Sequence, residues 1–257
     1  MNINFPIFQE TRYKSASQIA RVVTERWAAG NLYCPACPSE HVVKQPENTE
    51  AVDFICSDCS AAFQLKASRQ PFGEKVMDAG YEAMRRALER DNFPHLFLLH
   101  YDWNFRRVSD LSLIPSYFLS LSAIEARKPL GPGARRAGWI GCNIVLSYVP
   151  PDGRIPVIAS GAPIARTIVR NRFAATRAMG TVVSLERGWT LDLLTALRSL
   201  GSEEFSLGEA YTFEGRLSAL HPNNRHVRPK IRQQLQVLRD LGFVTFLGGG
   251  RYHLKSI

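Results

Sequence analysis

Four cysteines stand in two closely spaced pairs in the first quarter of the chain. Cys34 and Cys37 belong to a Cys-Pro-Ala-Cys sequence, and Cys56 and Cys59 belong to a Cys-Ser-Asp-Cys sequence. Each C-x-x-C turn offers two thiolates, and two such turns complete the tetrahedral sulfur shell that zinc prefers. A shell of four thiolates leaves no position for water, so we expect a structural zinc. Two disulfides or four unrelated thiols are the alternatives, and the paired spacing favours the metal.

A second set of polar residues overlaps the second cysteine pair. Asp53 falls in an apolar stretch that we predict to be a strand, where an unpaired carboxylate is costly to bury. Gln64 and Lys66 are two residues apart in the next predicted strand, so their side chains point to the same face. We expect Asp53, the Gln64 side-chain oxygen and the Leu65 carbonyl to hold magnesium, beside a phosphodiester whose attack Lys66 assists. A strand aspartate paired with a strand lysine is the simpler alternative.

The Asp53, Gln64 and Lys66 pattern resembles the PD-(D/E)XK nucleases, and the resemblance implies a magnesium-dependent catalytic centre. That family usually has Glu or Asp where this chain has Gln64. The metal site would therefore have one negative charge fewer, and we expect weaker magnesium binding. Glu10 or Glu25 can supply a second acid, although an exposed position on a helix face is the expectation for each.

The composition indicates a folded, basic protein. The 257 residues carry a formal net charge of +9, and 45% of them are hydrophobic. A chain with this much apolar material forms a core, and an excess of Lys and Arg favours a polyanionic partner. No apolar run approaches the roughly 20 residues of a membrane span, and no secretory signal pattern is found, so we expect no membrane association. Metal-ligand cysteine spacing, with Cys142 left over as a buried thiol, favours a reducing cytoplasm.

Helix and strand patterns surround these residues in the first two thirds of the chain. Strands flanked by helices predict an α/β (α+β) core of the PD-(D/E)XK kind, with the four-cysteine zinc site inserted in it. Residues 127–143 form a loop rich in glycine and arginine, and residues 150–183 have little pattern. Helices are predicted at 11–30 and 74–90, and strands at 51–56, 62–67, 96–101 and 108–114.

The last third of the chain has the parts of a winged helix, which are three helices and a β-hairpin. The predicted helix caps are Thr190, Ser206 with Glu209 completing a capping box, and Asn223 or Asn224. The third helix ends at Gly242, and a hairpin with a Gly-Gly-Gly turn follows it. We therefore predict a nuclease domain at residues 1–182 and a winged-helix DNA-binding domain at residues 183–257.

Nearly the whole chain resembles the DpnI-like, Dam-replacing family. The resemblance implies a methyl-directed type II restriction endonuclease that cleaves double-stranded DNA at GATC sites carrying methylated adenine. It also implies a zinc-containing nuclease domain and a winged helix that both read the methylated site. We expect a protein that acts as a monomer in a bacterial cytoplasm. The matching segments are 13–15, both cysteine pairs, 53–54, 63–66, 135–144, 187–190 and 230–240.

Two regions have residue types that read DNA. Arg135 and Arg136 suit phosphates or guanine edges, and Trp139 can lie against a methylated base. One methyl contact contributes only about 1 kcal/mol, so strong methyl dependence needs both strands or both domains. The alternatives are a core tryptophan flanked by surface arginines and, in the C-terminal region, a solvated polar face. The predicted C-terminal contacts are Asn224, Arg228, Arg232, Gln233, Gln234 and Arg251.

Three functions fit the sequence. The first is a magnesium-dependent endonuclease specific for methylated GATC. The second is a catalytically weakened or inactive reader of adenine-methylated DNA, because Gln64 replaces the usual acid. The third is a zinc-ribbon transcription regulator in which Asp53, Gln64 and Lys66 coincide by chance.

Overall fold

The computed structural model describes residues 1–6, 13, 15–46 and 51–255. Glu10, a candidate acid, and Lys14, part of the family resemblance, lie outside the described residues. The chain forms two compact units, each made of several separated segments. The first comprises residues 1–73, 93–116 and 154–174, and the second comprises residues 74–92, 117–153 and 175–257.

Helices and strands alternate along the whole described chain. The helices are α1 (Ala16–Asn31), α2 (Tyr81–Glu89), α3 (Arg166–Thr176), α4 (Ser184–Arg198), α5 (Leu207–Tyr211), α6 (Glu214–Leu220) and α7 (Val227–Asp240). The strands are β1 (Val43–Lys44), β2 (Phe54–Ile55), β3 (Ala62–Ser68), β4 (Lys75–Gly80), β5 (His95–Asp102), β6 (Arg107–Ile114), β7 (Ile124–Ala126), β8 (Gly141–Val145), β9 (Ile155–Ala159), β10 (Ala162–Pro163), β11 (Glu204–Ser206), β12 (Val244–Gly248) and β13 (Arg251–Leu254).

The first unit is built on a mixed sheet with the order β1-β2-β3-β5-β6-β9-β10. Strands β3 and β5 run parallel, with Phe63 opposite His95 and Ser68 opposite His100, and the other neighbours are antiparallel. Their mostly apolar sequences are typical of strands covered on both faces. Helix α1 packs against β3, and its buried Trp27 donates a hydrogen bond to the Asn2 carbonyl at 2.8 Å.

The central strands of this sheet agree with the sequence. The strands predicted at 62–67, 96–101 and 108–114 are confirmed as β3, β5 and β6. The strand predicted at 51–56 is reduced to the two residues of β2, and Asp53 lies just before it rather than in its middle. Residues 150–183, which have little pattern, contain β9, β10 and α3.

The helix predicted at 74–90 is wrong in its first part. Residues Lys75–Gly80 form β4, which pairs with β8, and only α2 is helical. The buried Val76 stands between the exposed Lys75 and Met77, which is the two-residue period of a strand. The apolar residues of this segment fit both the helical period and the two-residue strand period in part. Pairing with β8 selects the strand.

The second unit combines a small sheet, β4-β8-β7, with a C-terminal group of helices and a sheet of order β11-β13-β12. Helices α4 and α7 pack together through fully buried residues that include Leu194, Ile231 and Leu235. The predicted layout of helices followed by a hairpin is confirmed, and β11 adds a strand to the hairpin.

The helix ends in this unit only partly follow the predicted caps. The capping box is confirmed, because Ser206 Oγ accepts a hydrogen bond from the Glu209 amide at 3.2 Å and the Glu209 carboxylate accepts one from the Ser206 amide at 2.7 Å. Thr190 is not a cap, because it lies inside α4. Gly242 follows α7 with a φ of +84°, a backbone conformation that glycine accepts without strain.

None of the helices in the described part of the chain has the length and apolar character needed to span a membrane.

Candidate functional site

The four paired cysteines converge on one point of the first unit. The Sγ atoms of Cys34 and Cys59 are 3.5 Å apart, those of Cys37 and Cys56 are 3.6 Å apart, and all four lie within 4.8 Å of one another. Disulfide sulfurs are about 2.05 Å apart, whereas the corners of a tetrahedron with Zn–S bonds of about 2.3 Å are about 3.8 Å apart. The four thiols therefore have the spacing of a zinc site, and the cluster could hold a zinc ion.

The thiols of this cluster differ in how readily they ionise. Burial raises the pKa of the Cys34 thiol. Burial acts in the same direction on Cys56, but hydrogen bonds from the backbone N–H groups of Cys59 and Asp58 outweigh it and lower the pKa of Cys56 to about 7. Zinc binds thiolates, so occupation of the cluster would release the protons of the remaining thiols.

Arg170 of α3 holds the first cysteine turn. Its guanidinium donates hydrogen bonds to the carbonyls of Cys34 at 3.2 Å, Pro38 at 3.0 Å and Ser39 at 2.8 Å. The same guanidinium lies 5.2 Å from the centre of the Tyr33 ring. The sequence alone does not reveal this role, because α3 is more than 100 residues away from the cysteines and its segment has little pattern.

The carboxylate of Asp53 lies where β2 diverges from β3. The Asp53 amide donates to the Phe63 carbonyl at 2.9 Å, and the Leu65 amide donates to Asp53 Oδ2 at 2.7 Å. The side chain of Asp53 thus takes the place of a strand carbonyl opposite Leu65. In an extended strand the N–H and C=O of one residue point to the same side, so the Leu65 carbonyl is also directed towards Asp53.

Charged groups surround Asp53. Burial raises the pKa of its carboxyl, the hydrogen bond from Leu65 opposes that rise, and Glu25 adds to it by charge repulsion. Lys66 and Arg21 act in the opposite direction by attraction. A second acid and a lysine are therefore within electrostatic reach of the Asp53 carboxylate.

Glu25 of α1 is not the exposed helix-face residue that we expected. Its side chain is only 15% exposed, and it forms ion pairs with Arg21 at 3.1 Å and Lys44 at 2.7 Å. Together with Leu65 and Tyr101 it lines a cavity of about 220 Å³. The structure thus brings an acid from the first helix to the strand that carries the predicted catalytic residues.

Gln64 and Lys66 lie on β3, as predicted. Gln64 is only 6% exposed, whereas Lys66 is half-buried. They are separated by one residue of a regular strand, so their side chains share one face of the sheet. The buried Gln64 amide is suited to be a metal ligand. The half-buried Lys66, on the same face, is suited to approach a substrate.

The loop with Arg135, Arg136 and Trp139 is a compact excursion between β7 and β8. The Leu130 amide donates to the Trp139 carbonyl at 3.0 Å and closes the base of the loop. The guanidinium of Arg136 lies 5.1 Å from the centre of the Trp139 ring. Gly141 lies close against the same ring, because a Cβ atom at that position would be 3.0 Å from it. Trp139 is half-buried and both arginines are exposed, so the loop presents cations beside an accessible indole.

The exposed side of α7 carries several of the predicted DNA contacts. Arg228, Arg232 and Gln233 are exposed on the first half of this helix. Arg228 is ion-paired with Glu214 at 2.7 Å. Just before the helix, the Asn224 side-chain oxygen accepts a hydrogen bond from the His226 amide at 2.8 Å and shapes the turn.

Two other predicted contacts are in different surroundings. Gln234 is fully buried, and its side-chain oxygen accepts a hydrogen bond from Thr190 at 2.6 Å. Its assignment to the DNA surface is corrected, because it fills the contact between α4 and α7. Arg251 is exposed on the wing and is ion-paired with Glu204 of β11.

A cleft of about 660 Å³ lies in front of α7. Its lining includes Trp189, His221 and the residues from Pro222 to His226. The His221 ring stacks on Trp189 with 3.9 Å between ring centres, and its Nε2 atom lies 2.8 Å from the buried carboxylate of Asp192. The sequence alone does not reveal this cleft, because Trp189 and His221 meet only when the helices pack.

The described residues thus combine a four-cysteine cluster that could hold zinc, a group of acids and a lysine around Asp53, and a C-terminal region of helices and a hairpin with exposed basic residues. Comparison with known families matches residues 1–182 to the Dam-replacing family and residues 185–254 to the Dam-replacing HTH domain. The chain therefore belongs to the Dam-replacing family, as the sequence motifs predict. Membership implies methylation-dependent restriction of DNA, and the helix-turn-helix domain indicates DNA binding.

Proposed function

We propose that this protein is a magnesium-dependent endonuclease that cleaves double-stranded DNA at GATC sites carrying methylated adenine. Residues 1–182 form the nuclease domain, which we assign to the PD-(D/E)XK type, and residues 183–257 form a winged-helix reader. Membership of the Dam-replacing family supports the substrate class. The observation that carries the catalytic part is the Asp53 carboxylate, which is held by the Leu65 amide within reach of Glu25 and Lys66.

The residues around Asp53 fit a hard divalent cation. Carboxylates of Asp53 and Glu25, the Gln64 side-chain oxygen and the Leu65 carbonyl are the oxygen ligands that magnesium prefers. The raised pKa of the Asp53 carboxyl, caused by burial and by repulsion from Glu25, fits a site that is completed by positive charge. These residues would hold magnesium, which would supply polarisation of the scissile phosphate and a lower pKa for bound water.

Lys66 and Asp53 have separate tasks in this proposal. Lys66 directs the attacking water towards the phosphorus and offsets the negative charge that develops on the phosphate oxygens. Asp53 keeps its position because the Leu65 amide holds one carboxylate oxygen at 2.7 Å. A preorganised carboxylate needs no rearrangement during the reaction, which is the condition for effective charge stabilisation.

Two exposed surfaces read the DNA. Arg135, Arg136 and the accessible face of Trp139 contact the methylated site from one loop. Arg228, Arg232 and Gln233 on α7, with Asn224 before it and Arg251 on the wing, contact it from the winged helix. Gln234 has no part in this surface, because it is buried against Thr190.

A cleavage assay tests the proposal. Plasmid methylated on adenine at GATC and unmethylated plasmid are incubated with the full chain and magnesium. We expect cutting of the methylated plasmid alone, and loss of cutting in Lys66→Ala with DNA binding retained. Lys75→Ala, which removes a surface lysine paired with Glu125, is the matched control and should cut normally. Retention of methylated DNA without cleavage would instead identify a reader, and equal treatment of both plasmids would exclude methyl specificity.

A further inference from the structure

The turn that joins β5 to β6 is an exposed aromatic and basic element that the proposed nuclease centre does not use. This 102–107 turn contains Trp103, Phe105, Arg106 and Arg107. Phe105 is 70% exposed, which is an unfavourable position for a large apolar ring. An exposed ring between cations is suited to a ligand that offers both negative charge and flat apolar surface.

Local hydrogen bonds fix the shape of the turn. The Asp102 carboxylate accepts hydrogen bonds from the amides of Asn104 at 2.8 Å and Phe105 at 3.2 Å. The Phe5 amide donates to the Arg106 carbonyl at 2.8 Å, so the N-terminal segment holds the turn from outside. Arg106 has a φ of +48°, a conformation that non-glycine residues adopt rarely. Phe105 therefore projects from a turn whose backbone is fixed by hydrogen bonds.

The two arginines of the turn are oriented by rings. The Arg106 guanidinium lies 5.7 Å from the centre of the Trp103 ring, and that of Arg107 lies 5.2 Å from the centre of the Phe105 ring. Within the described part of the chain neither arginine forms an ion pair, whereas Arg228 and Arg251 each have an acidic partner. The cations of the 102–107 turn are thus available to an external anion.

The turn continues directly from the cavity that Glu25 and Leu65 line, and the Leu65 amide binds the Asp53 carboxylate. Tyr101, the residue before Asp102, lines that cavity together with Glu25, Leu65 and Arg69. Because β3 and β5 run parallel, their carboxyl ends meet at the same edge of the sheet, and the turn extends from that edge. Asp102 lies five residues beyond Phe97, the partner of Leu65, so a duplex whose phosphate lies beside Asp53 would reach the turn a few nucleotides away.

We infer that the 102–107 turn is a DNA-contacting element of the nuclease unit. Arg106 and Arg107 bind phosphates that flank the scissile one, and Phe105 packs against sugars and base edges in the minor groove. Aromatic side chains that enter the minor groove beside arginines are a known way of gripping a duplex. The inference rests on the proposed nuclease function, because it takes the Asp53 carboxylate as the position of the cleaved phosphate.

Binding of a fluorescent duplex with one methylated GATC site tests the inference. Anisotropy is measured with the full chain at several salt concentrations, with calcium in place of magnesium. Loss of both arginines in Arg106→Ala/Arg107→Ala should reduce the slope of log affinity against log salt by about two. Phe105→Ala should weaken binding about tenfold and leave the slope unchanged, because a stacked ring releases no counterions. Phe105→Trp should restore the affinity.

Arg239→Ala is the matched control, since Arg239 is an exposed arginine already paired with Asp240, and it should behave as the wild type. If the wild type binds and cuts while the turn variants bind with unchanged affinity and slope, the turn makes no DNA contact. If the wild type binds but does not cut, and the turn variants lose affinity, the nuclease proposal is wrong and the DNA contact of the 102–107 turn is supported. If the wild type does not bind the duplex, both are excluded.

Discussion

At the scale of single residues, Glu25 brings an acid close to the strand on which Gln64 stands in place of the expected one. The resemblance to PD-(D/E)XK nucleases predicts an acid at position 64, and the chain has a neutral amide there. Glu25 is only 15% exposed, lines the cavity beside Leu65 and raises the pKa of the Asp53 carboxyl by repulsion. In the proposed metal site on β3, an acid from α1 can therefore restore the charge that Gln64 lacks.

Moving the negative charge from position 25 to position 64 tests whether Glu25 replaces the missing acid. Glu25→Gln should lower kcat/KM roughly 100-fold, because the site loses its second carboxylate. Gln64→Glu alone should keep or raise activity. The double variant Glu25→Gln/Gln64→Glu should recover most of the activity, since the same charge returns on the neighbouring strand. Cleavage rates measured against magnesium concentration check all three.

Glu82→Gln, which changes an exposed glutamate on α2, is the control for the Glu25 series and should have no effect. Unchanged cleavage in Glu25→Gln would remove Glu25 from the centre. A double variant as inactive as Glu25→Gln alone would mean that Glu25 acts through Arg21 and Lys44 rather than through a metal ion.

The Asp53 carboxyl makes stability depend on pH in a defined direction. Its pKa is raised in the folded state by burial, so its contribution to stability is present below the ordinary aspartate pKa and is lost as pH rises through the raised value. Asp53→Asn should therefore raise the Tm at pH 7 by about 2 °C or more without magnesium, and abolish cleavage. The gain should vanish below about pH 4, where aspartate is protonated in both states.

Scanning calorimetry between pH 4 and pH 8 measures this difference, with the exposed Asp240→Asn as control. Equal Tm values for the wild type and Asp53→Asn across that range would contradict the raised pKa. Magnesium should raise the Tm of the wild type and leave that of Asp53→Asn unchanged.

At the scale of elements, α3 is the support of the four-cysteine cluster. Arg170 bonds three carbonyls of the turn that carries Cys34 and Cys37. Arg170→Ala should destabilise the protein by about 2 kcal/mol, because hydrogen bonds to a charged group are among the stronger ones. It should also weaken zinc retention 10- to 100-fold, a range typical of groups that orient metal ligands. Thermal unfolding and zinc content after dialysis against a chelator measure the two effects.

Arg172 offers a matched control on the same helix, because it is an exposed arginine two residues away. Arg172→Ala should retain zinc and Tm. Loss of stability in Arg170→Ala with normal zinc retention would mean that Arg170 supports the loop alone and has no influence on zinc binding.

The elements found from sequence are those with one clear period or one clear motif. The apolar runs of β5 and β6 and the capping box at Ser206 needed no tertiary information. The strand β4 was missed because its pairing with β8 comes from residues more than 60 positions away. The short β2 was overestimated because apolar residues around Asp53 serve the core without continuing the ladder.

At the scale of the whole molecule, the sequence identifies the candidate site residues and does not reveal the residues that support them. Asp53, Lys66 and the four cysteines are recognisable because their types and spacing carry chemistry. Glu25 and Arg170 come from helices distant in the chain, so only the packed structure brings them to the site. Gln234 was misassigned for the same reason, because a glutamine on a polar helix start gives no sign that Thr190 of another helix will bind it.

Segments of the two compact units alternate along the chain. The backbone passes from one unit to the other between residues 73 and 74, 92 and 93, 116 and 117, 153 and 154, and 174 and 175. A protease that cuts at any of the first four junctions divides the segments of the first unit between two fragments, so neither fragment contains that unit complete. During synthesis, too, the first unit stays incomplete until residue 174 has been made, by which time about two fifths of the second unit is already translated. A chain that stops before residue 174 therefore lacks part of the unit to which we assign the cleavage centre.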